Sequence, residues 1–282
     1  MKSSATMLAV VVLGIALEGY CQSPWGLEKG KLEATPNYVY QGFDKYWEGR
    51  TEKSLPTTIH QHAASLGFEY GLPHELTADL TLGYTWTEAE GETGFDGLND
   101  TLLGVRWKFL DEFKSPRPWT PTLALRVGGI IEGTYKTTST QPVPLAPGDG
   151  ASGLETALLF GKAWQETGLG FYAHVGYRNR AEHVPDDIFG GAGVAWTFWQ
   201  RFTLNVGYRH NHALSGLDIG APGFTNDQFP QTREIFQNVE AGFGFSDKGG
   251  RSYQISYART LDGRNTGQKD IIGVSVTFPF GK

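Results

Sequence analysis

The chain has 282 residues, a net charge of −6 and 19% charged residues of mixed sign, with no basic stripe of the kind that grips nucleic acid. Its one cysteine, Cys21, excludes a disulfide framework. A mean hydropathy of −0.32 with 38 glycines and 13% aromatics fits a secreted β-sandwich or a lipid-embedded barrel, because only alternate strand residues of a barrel need be apolar.

The first element is a leader. Lys2 precedes an apolar run from Met7 to Leu17, followed by the polar break Glu18-Gly19-Tyr20-Cys21-Gln22-Ser23. The run is about half the roughly 20 residues a membrane-crossing helix needs, so residues 1–21 read as a signal peptide cleaved after Cys21. Lipidation of Cys21 is the rival reading, but the bulky Tyr20 before it argues against that. Losing Lys2 and Glu18 removes one charge of each sign, so the mature part, residues 22–282, keeps its net −6 and reads as a single domain.

From there apolar and polar residues alternate in segments broken by turns. Leu76-Thr77-Ala78-Asp79-Leu80-Thr81-Leu82-Gly83-Tyr84-Thr85-Trp86 is a clear instance, with one greasy face and one wet face. Twelve strands are expected near 31–41, 58–71, 76–87, 101–110, 120–134, 153–164, 168–180, 186–198, 202–213, 234–246, 251–261 and 269–280. Connections after even strands are mostly short, such as 72–75, 165–167, 199–201 and 247–250, whereas 88–100, 135–152 and 214–233 are long and polar. That segregation is expected of an outer-membrane barrel, with both termini on the short-turn, periplasmic side.

The aromatics point the same way. Trp107, Phe109, Trp164, Trp196 and Phe243 lie toward the short-turn ends; Tyr38, Tyr40, Tyr84, Trp86, Tyr177, Tyr208 and Tyr257 lie toward the long-loop ends. Two belts in the apolar parity suit the two headgroup zones of a bilayer, where Trp and Tyr present one wet and one greasy edge. Lys162, between Phe160 and Trp164, breaks the pattern and is expected at a bulge or snorkelling to the interface. Ile272, Val274, Val276, Phe278 and Phe280 make a final strand like those engaged by barrel-assembly machinery, although Gly281 and Lys282 follow it.

The polar parity supplies the lumen-lining candidates Glu69, Asp79, Arg106, Lys108, Arg126, Glu132, Glu155, His174, Arg178, Arg209 and Glu240, with Glu33 beside them. Mixed signs predict paired or hydrated charges, either a structural network or a permeation path, and no strong ion selectivity. Glycines such as Gly104, Gly128, Gly161, Gly176 and Gly207 share this parity and are expected to relieve crowding inside a curved sheet. His60/His62 and His210/His212 each share a face, but no third ligand accompanies either pair, so no metal or cofactor is expected. His212 and Ser215, three apart, depart from the His-x-Ser spacing of outer-membrane phospholipases and would face opposite ways in a strand. No phosphate loop, dinucleotide fingerprint or zinc-protease helix is present, and an enzyme is not expected.

Two stretches carry a family resemblance. Pro24-Trp25-Gly26-Leu27-Glu28-Lys29-Gly30, leading into Tyr38-Val39-Tyr40, and Gly97-Leu98-Asn99-Asp100-Thr101-Leu102-Leu103-Gly104-Val105-Arg106-Trp107 are similar to the transporter-type outer-membrane barrels associated with the meta-pathway of phenol degradation. The resemblance implies passage of a small aromatic or hydrophobic compound and carries over no active-site residues. The expectation is therefore an all-β, up-and-down transmembrane barrel in the outer membrane, a channel for a small-molecule solute. Its partners would be outer-membrane lipids and, during biogenesis, the assembly machinery. A structural or surface-interaction barrel is the second reading and a phospholipase-like hydrolase the third.

Overall fold

The computed structural model describes residues 23–90, 94–134 and 150–281, so the leader expected over 1–21 lies outside the described residues. The strands are β1 (Leu32–Glu48), β2 (Thr51–Gly71), β3 (Leu76–Ala89), β4 (Phe95–Leu98), β5 (Thr101–Leu110), β6 (Thr122–Ile131), β7 (Gly153–Trp164), β8 (Leu169–Arg180), β9 (Asp187–Phe198), β10 (Phe202–Ala213), β11 (Ile235–Ser246), β12 (Ser252–Arg264) and β13 (Asp270–Phe280). Every consecutive pairing is antiparallel, and β1 bonds to both β2 and β13, so the sheet closes on itself. β4 and β5 pair with successive lengths of β3 and together make one interrupted stave. The thirteen strands thus form twelve staves, and each stave is bonded to a neighbour on both sides over its membrane-level length.

Burial is inverted relative to a water-soluble protein. Val127, Val175, Val194, Val206 and Ile255 are all more than half exposed on the outside, while Arg106 and Arg126 inside retain 1% and 4%. Water would not tolerate an apolar belt of this extent around the whole circumference, and acyl chains require it. A closed ladder of this kind is expected to survive detergent until heated. Unboiled and boiled samples should therefore migrate differently on a denaturing gel, and identical migration would rule out a closed barrel.

The outer aromatic belt is built from pairs. The phenolic hydroxyls of Tyr84, Tyr177 and Tyr257 donate to Asp96, Asp186 and Asp270, and Tyr208 donates to Gln237 at 3.0 Å. Tyr38 and Tyr40 meet His62 and His60 at 2.6 and 2.7 Å, and His62 stacks on Trp86. Each ring keeps its body in the apolar zone and its hydroxyl against a polar group at the headgroup level. The His60/His62 pair is thus an outward-facing part of this belt.

Three boundaries differ from the sequence expectation. Residues 42–57 extend β1 and β2 into a tall hairpin, because Lys45–Glu52 (3.0 Å) and Lys53–Glu48 (2.6 Å) pair across the strands and make a charged stretch compatible with a ladder. β4 forms inside the expected 88–100 loop, against the upper part of β3. β6 ends at Ile131, so Glu132 leaves the wall and is exposed at the loop that follows.

Candidate functional site

The interior is built in three levels. At the short-turn end, residues 23–31 run back inside the barrel as a strap. Gly30 N donates to Gly71 O (2.8 Å), Leu27 N to Thr77 Oγ1 (3.0 Å) and Trp25 Nε1 to Glu112 Oε1 (2.9 Å). Arg106 holds the strap from the wall, donating to Ser23 O at 2.7 Å and to Glu69 at 2.6 Å. Pro24 is fully buried over β7: a Cβ on Gly161 would lie 2.4 Å from Pro24 Cγ and 2.6 Å from the Trp25 ring. Beside the strap, Tyr172 lies along the wall across Gly193 and Gly207, its hydroxyl 2.3 and 3.0 Å from where their Cβ atoms would be. These interior glycines are beds for particular side chains, a more specific role than relief of curvature.

Glu112 also explains Lys162. Its carboxylate accepts from Thr122 Oγ1 (3.2 Å) and the Ala163 amide (2.9 Å) and pairs with Lys162 Nζ at 3.0 Å. Lys162 starts on the lipid-facing side and reaches past the strand end to this turn, donating also to Thr120 O. Snorkelling is the answer, with a partner at its end. Lys108 behaves similarly from the inward side, pairing with Asp111 at 2.6 Å and Glu75 at 3.0 Å at the short-turn rim.

Mid-barrel, a ladder of alternating charge crosses the wall. Arg126 on β6 grips Asp79 on β3 at 2.7 and 3.1 Å and also pairs with Glu155 on β7. Arg178 on β8 continues to Glu155 at 3.3 Å and to Asp187 on β9 at 3.4 Å. Arg126 reaches Asp79 by lying flat over Gly104 and Gly128, whose Cβ atoms would sit 2.7 and 2.8 Å from its guanidinium. Nearer the long-loop end Arg180 meets Asp100 at 3.0 Å; further round the wall, between β10 and β11, Arg209 meets Glu240 at 2.7 Å. Buried charges of both signs are thereby compensated on the wall itself.

Above the ladder a chamber of about 340 Å³ opens within the barrel. Its lining is mixed. Arg126, Arg178, Arg209, His174 and Asn238 face it, together with two apolar patches, one around Leu159 and Phe189 and one around Val39 and Ile271.

At the long-loop end Asn265 ties three segments together. Its Oδ1 accepts from Gly49 N (2.9 Å) and Ile219 N (3.0 Å), and its Nδ2 donates to Leu217 O (3.1 Å) and Arg233 O (2.9 Å). Its φ of 53° is a conformation asparagine tolerates better than most residues. Beside it, Arg264 clamps Asp218 with two bonds of 2.7 and 2.6 Å. The Arg264 bond holds the Asp218 carboxyl below the usual carboxylate range. A depressed folded value keeps the clamp intact above about pH 4 and releases it only as pH falls further. Asn265→Ala is expected to cost about 1–3 kcal/mol by unpairing these buried groups. Limited proteolysis should then cut the 214–234 segment faster than in wild type at pH 7, and an unchanged cleavage rate would show that the tie does not hold the loop.

Of the sequence-derived candidates, Glu69, Asp79, Arg106, Arg126, Glu155, His174, Arg178, Arg209 and Glu240 face the interior, with Glu33 opposite Glu69 across the β1–β2 pairing. Lys108 belongs to the rim and Glu132 to the exterior loop. Sequence reasoning missed Asp187 and Arg180, although both follow inward parity at strand ends, and missed the strap, which has no period to betray it. His210 and His212 fall in the outward parity of Tyr208, and among the described residues no group of three or more His, Cys, Asp or Glu is placed to hold a metal ion.

A closed antiparallel wall with a lipid-facing apolar belt, paired girdle tyrosines and an ion-paired interior defines a transmembrane β-barrel of the outer-membrane type. Among solved structures the chain is similar to the COG4313 outer membrane channel from Pseudomonas putida F1, with a TM-score of 0.70 and 14% identity over 94% of this chain and all (100%) of that one. It is similar at lower TM-scores to the NanC porin (0.49; 10% identity; 86% of this chain and 98% of that one) and the CymD monoaromatic hydrocarbon channel (0.48; 7%; 91% and 90%). At these identities the likeness concerns the fold. No family model matches the chain, and no curated protein matches it in sequence.

Proposed function

We propose that the protein is an outer-membrane channel that passes one small solute at a time through the barrel lumen without covalent chemistry. The carrying observation is the chamber of about 340 Å³ between strap and tied loops, large enough for a compact solute and lined by apolar as well as polar side chains. A purely structural wall has no need of apolar patches facing inward. The resemblance to phenol meta-pathway barrels and the outer membrane channel of similar fold support this reading, and the resemblance favours an aromatic or hydrophobic solute. The lumen candidates that face the interior, without Lys108 and Glu132, are then the groups that line and shape the path. A leader at 1–21 would deliver the barrel to export, and β13, with Ile272, Val274 and Phe280 facing outward, would present itself to the assembly machinery.

Reconstitution into liposomes tests the reading. Influx of small neutral solutes should exceed that of protein-free liposomes and fall off for solutes too large for the chamber. The strap at one end and the Asn265 tie at the other favour a second reading, a sealed structural barrel. No flux, even after both closures are removed by mutation, would establish that reading instead.

A further inference from the structure

We infer that the chamber is a binding site for an uncharged solute that joins a ring-sized apolar body to a hydroxyl or similar hydrogen-bonding group. The inference rests on the channel reading for its role in passage, but the binding itself does not depend on conduction.

The register sets the polar part. Leu159, His174, Gly191, Arg209, Asn238 and Thr260 are successive cross-strand partners from β7 to β12, all in the inward parity. His174 and Asn238 keep only 9% and 8% of their surface and both line the chamber. Yet His174 Nδ1 and Asn238 Oδ1 are buried with no hydrogen-bond partner. Such orphans are costly in a folded wall and are satisfied by a group that arrives from the chamber. Gly191 lies between His174 and Arg209; a Cβ there would come within 2.9 Å of His174 Cε1, so the imidazole lies along the wall rather than across the space.

Apolar surface flanks this row. Phe189 lies with its ring over Gly176 and clusters with Leu159, Ala157 and Ala124. Val39, Ile271 and Ala258 form the other patch, with Ala63 packed against it. An apolar cavity of about 150 Å³ already accepts a benzene ring, so this chamber has room for a substituted one.

Charge decides the class. Arg126, Arg178, Arg180 and Arg209 in the lining are each engaged by a carboxylate. At these four pairs an anion would have to displace a protein carboxylate, and a cation would have to displace an arginine, each at the cost of leaving a buried charge behind. A hydroxyl needs neither. Lys269, at the end of the same row beside Thr260, has no carboxylate partner among the described residues and is the one group that would favour an anion instead. The test must include that arm.

Fluorine NMR on the whole mature chain in detergent, titrated with para-fluorobenzyl alcohol, para-fluorotoluene and para-fluorobenzoate, separates protein-bound from micelle-partitioned probe. The alcohol is expected to bind about tenfold more tightly than the toluene, the equivalent of one or two neutral hydrogen bonds, and more tightly than the benzoate. His174→Leu and Asn238→Leu should each erode the alcohol's advantage over toluene while leaving toluene binding within about twofold. Equal binding of alcohol and toluene overturns the polar part, and tighter benzoate binding overturns the uncharged class in favour of Lys269. Should a variant fail the heated-gel test for folding, the ranking of the three probes on wild type still decides. A barrel that binds but passes nothing would sink the channel reading alone; one that conducts but binds none of the probes would sink this site alone.

Discussion

Arg126→Leu is expected to be the most damaging single substitution in the interior. It removes the cation shared by Asp79 and Glu155, both more than nine-tenths buried, and leaves two carboxylates on the wall with only Arg178 to serve one of them. Breaking a buried pair in this way costs about 3–5 kcal/mol, because the abandoned partner keeps its desolvation penalty. The double change Arg126→Leu with Asp79→Leu should recover part of that loss, since it removes the stranded charge together with the cation. Unfolding in urea from lipid vesicles would measure both. If the single variant is as stable as wild type, the ladder is ornamental and the interior is hydrated well enough to do without it.

Deleting residues 23–27 is expected to have the largest effect on passage. The strap crosses the short-turn mouth from Gly71 to Gly161, with Pro24 and Trp25 pressed against the far wall. Its removal uncovers the floor beside Tyr172 and should raise single-channel conductance several-fold in planar bilayers. Trp25→Ala should act in the same direction but more weakly, because the Arg106 bond to Ser23 O remains. Gly161→Val tests the same contact from the wall: its side chain would occupy the space of Pro24 and Trp25 and should unseat the strap without shortening the chain. Unaltered conductance in the deletion would place the resistance elsewhere, most directly at the loops tied by Asn265.

Much of the wall was legible because a strand's two-residue period leaves few choices. β7 and β10 run over 153–164 and 202–213, where the alternation alone places them. The hairpin above Gln41 was not legible, since Lys45, Glu52 and Lys53 read as a solvated loop until their cross-strand partners are known. Which charges face inward followed from parity, but which pairs form did not. Arg126 chooses Asp79, two staves away, only because two intervening glycines let it lie flat. The strap and Asn265 were invisible for a related reason: their meaning lies in contacts with segments far along the chain, and neither belongs to a repeating pattern.

The alternation of sign along Arg126, Glu155, Arg178 and Asp187 also acts as a gauge of alignment. Sliding one stave by a single position would turn its guanidinium or carboxylate out among acyl chains, a penalty of about 2–4 kcal/mol for a cation at the bilayer centre. Sliding by two would keep the side chain indoors but miss its opposite number. Misaligned closures are therefore penalised at several neighbouring staves at once, so that these four residues help to select a single way of rolling the sheet.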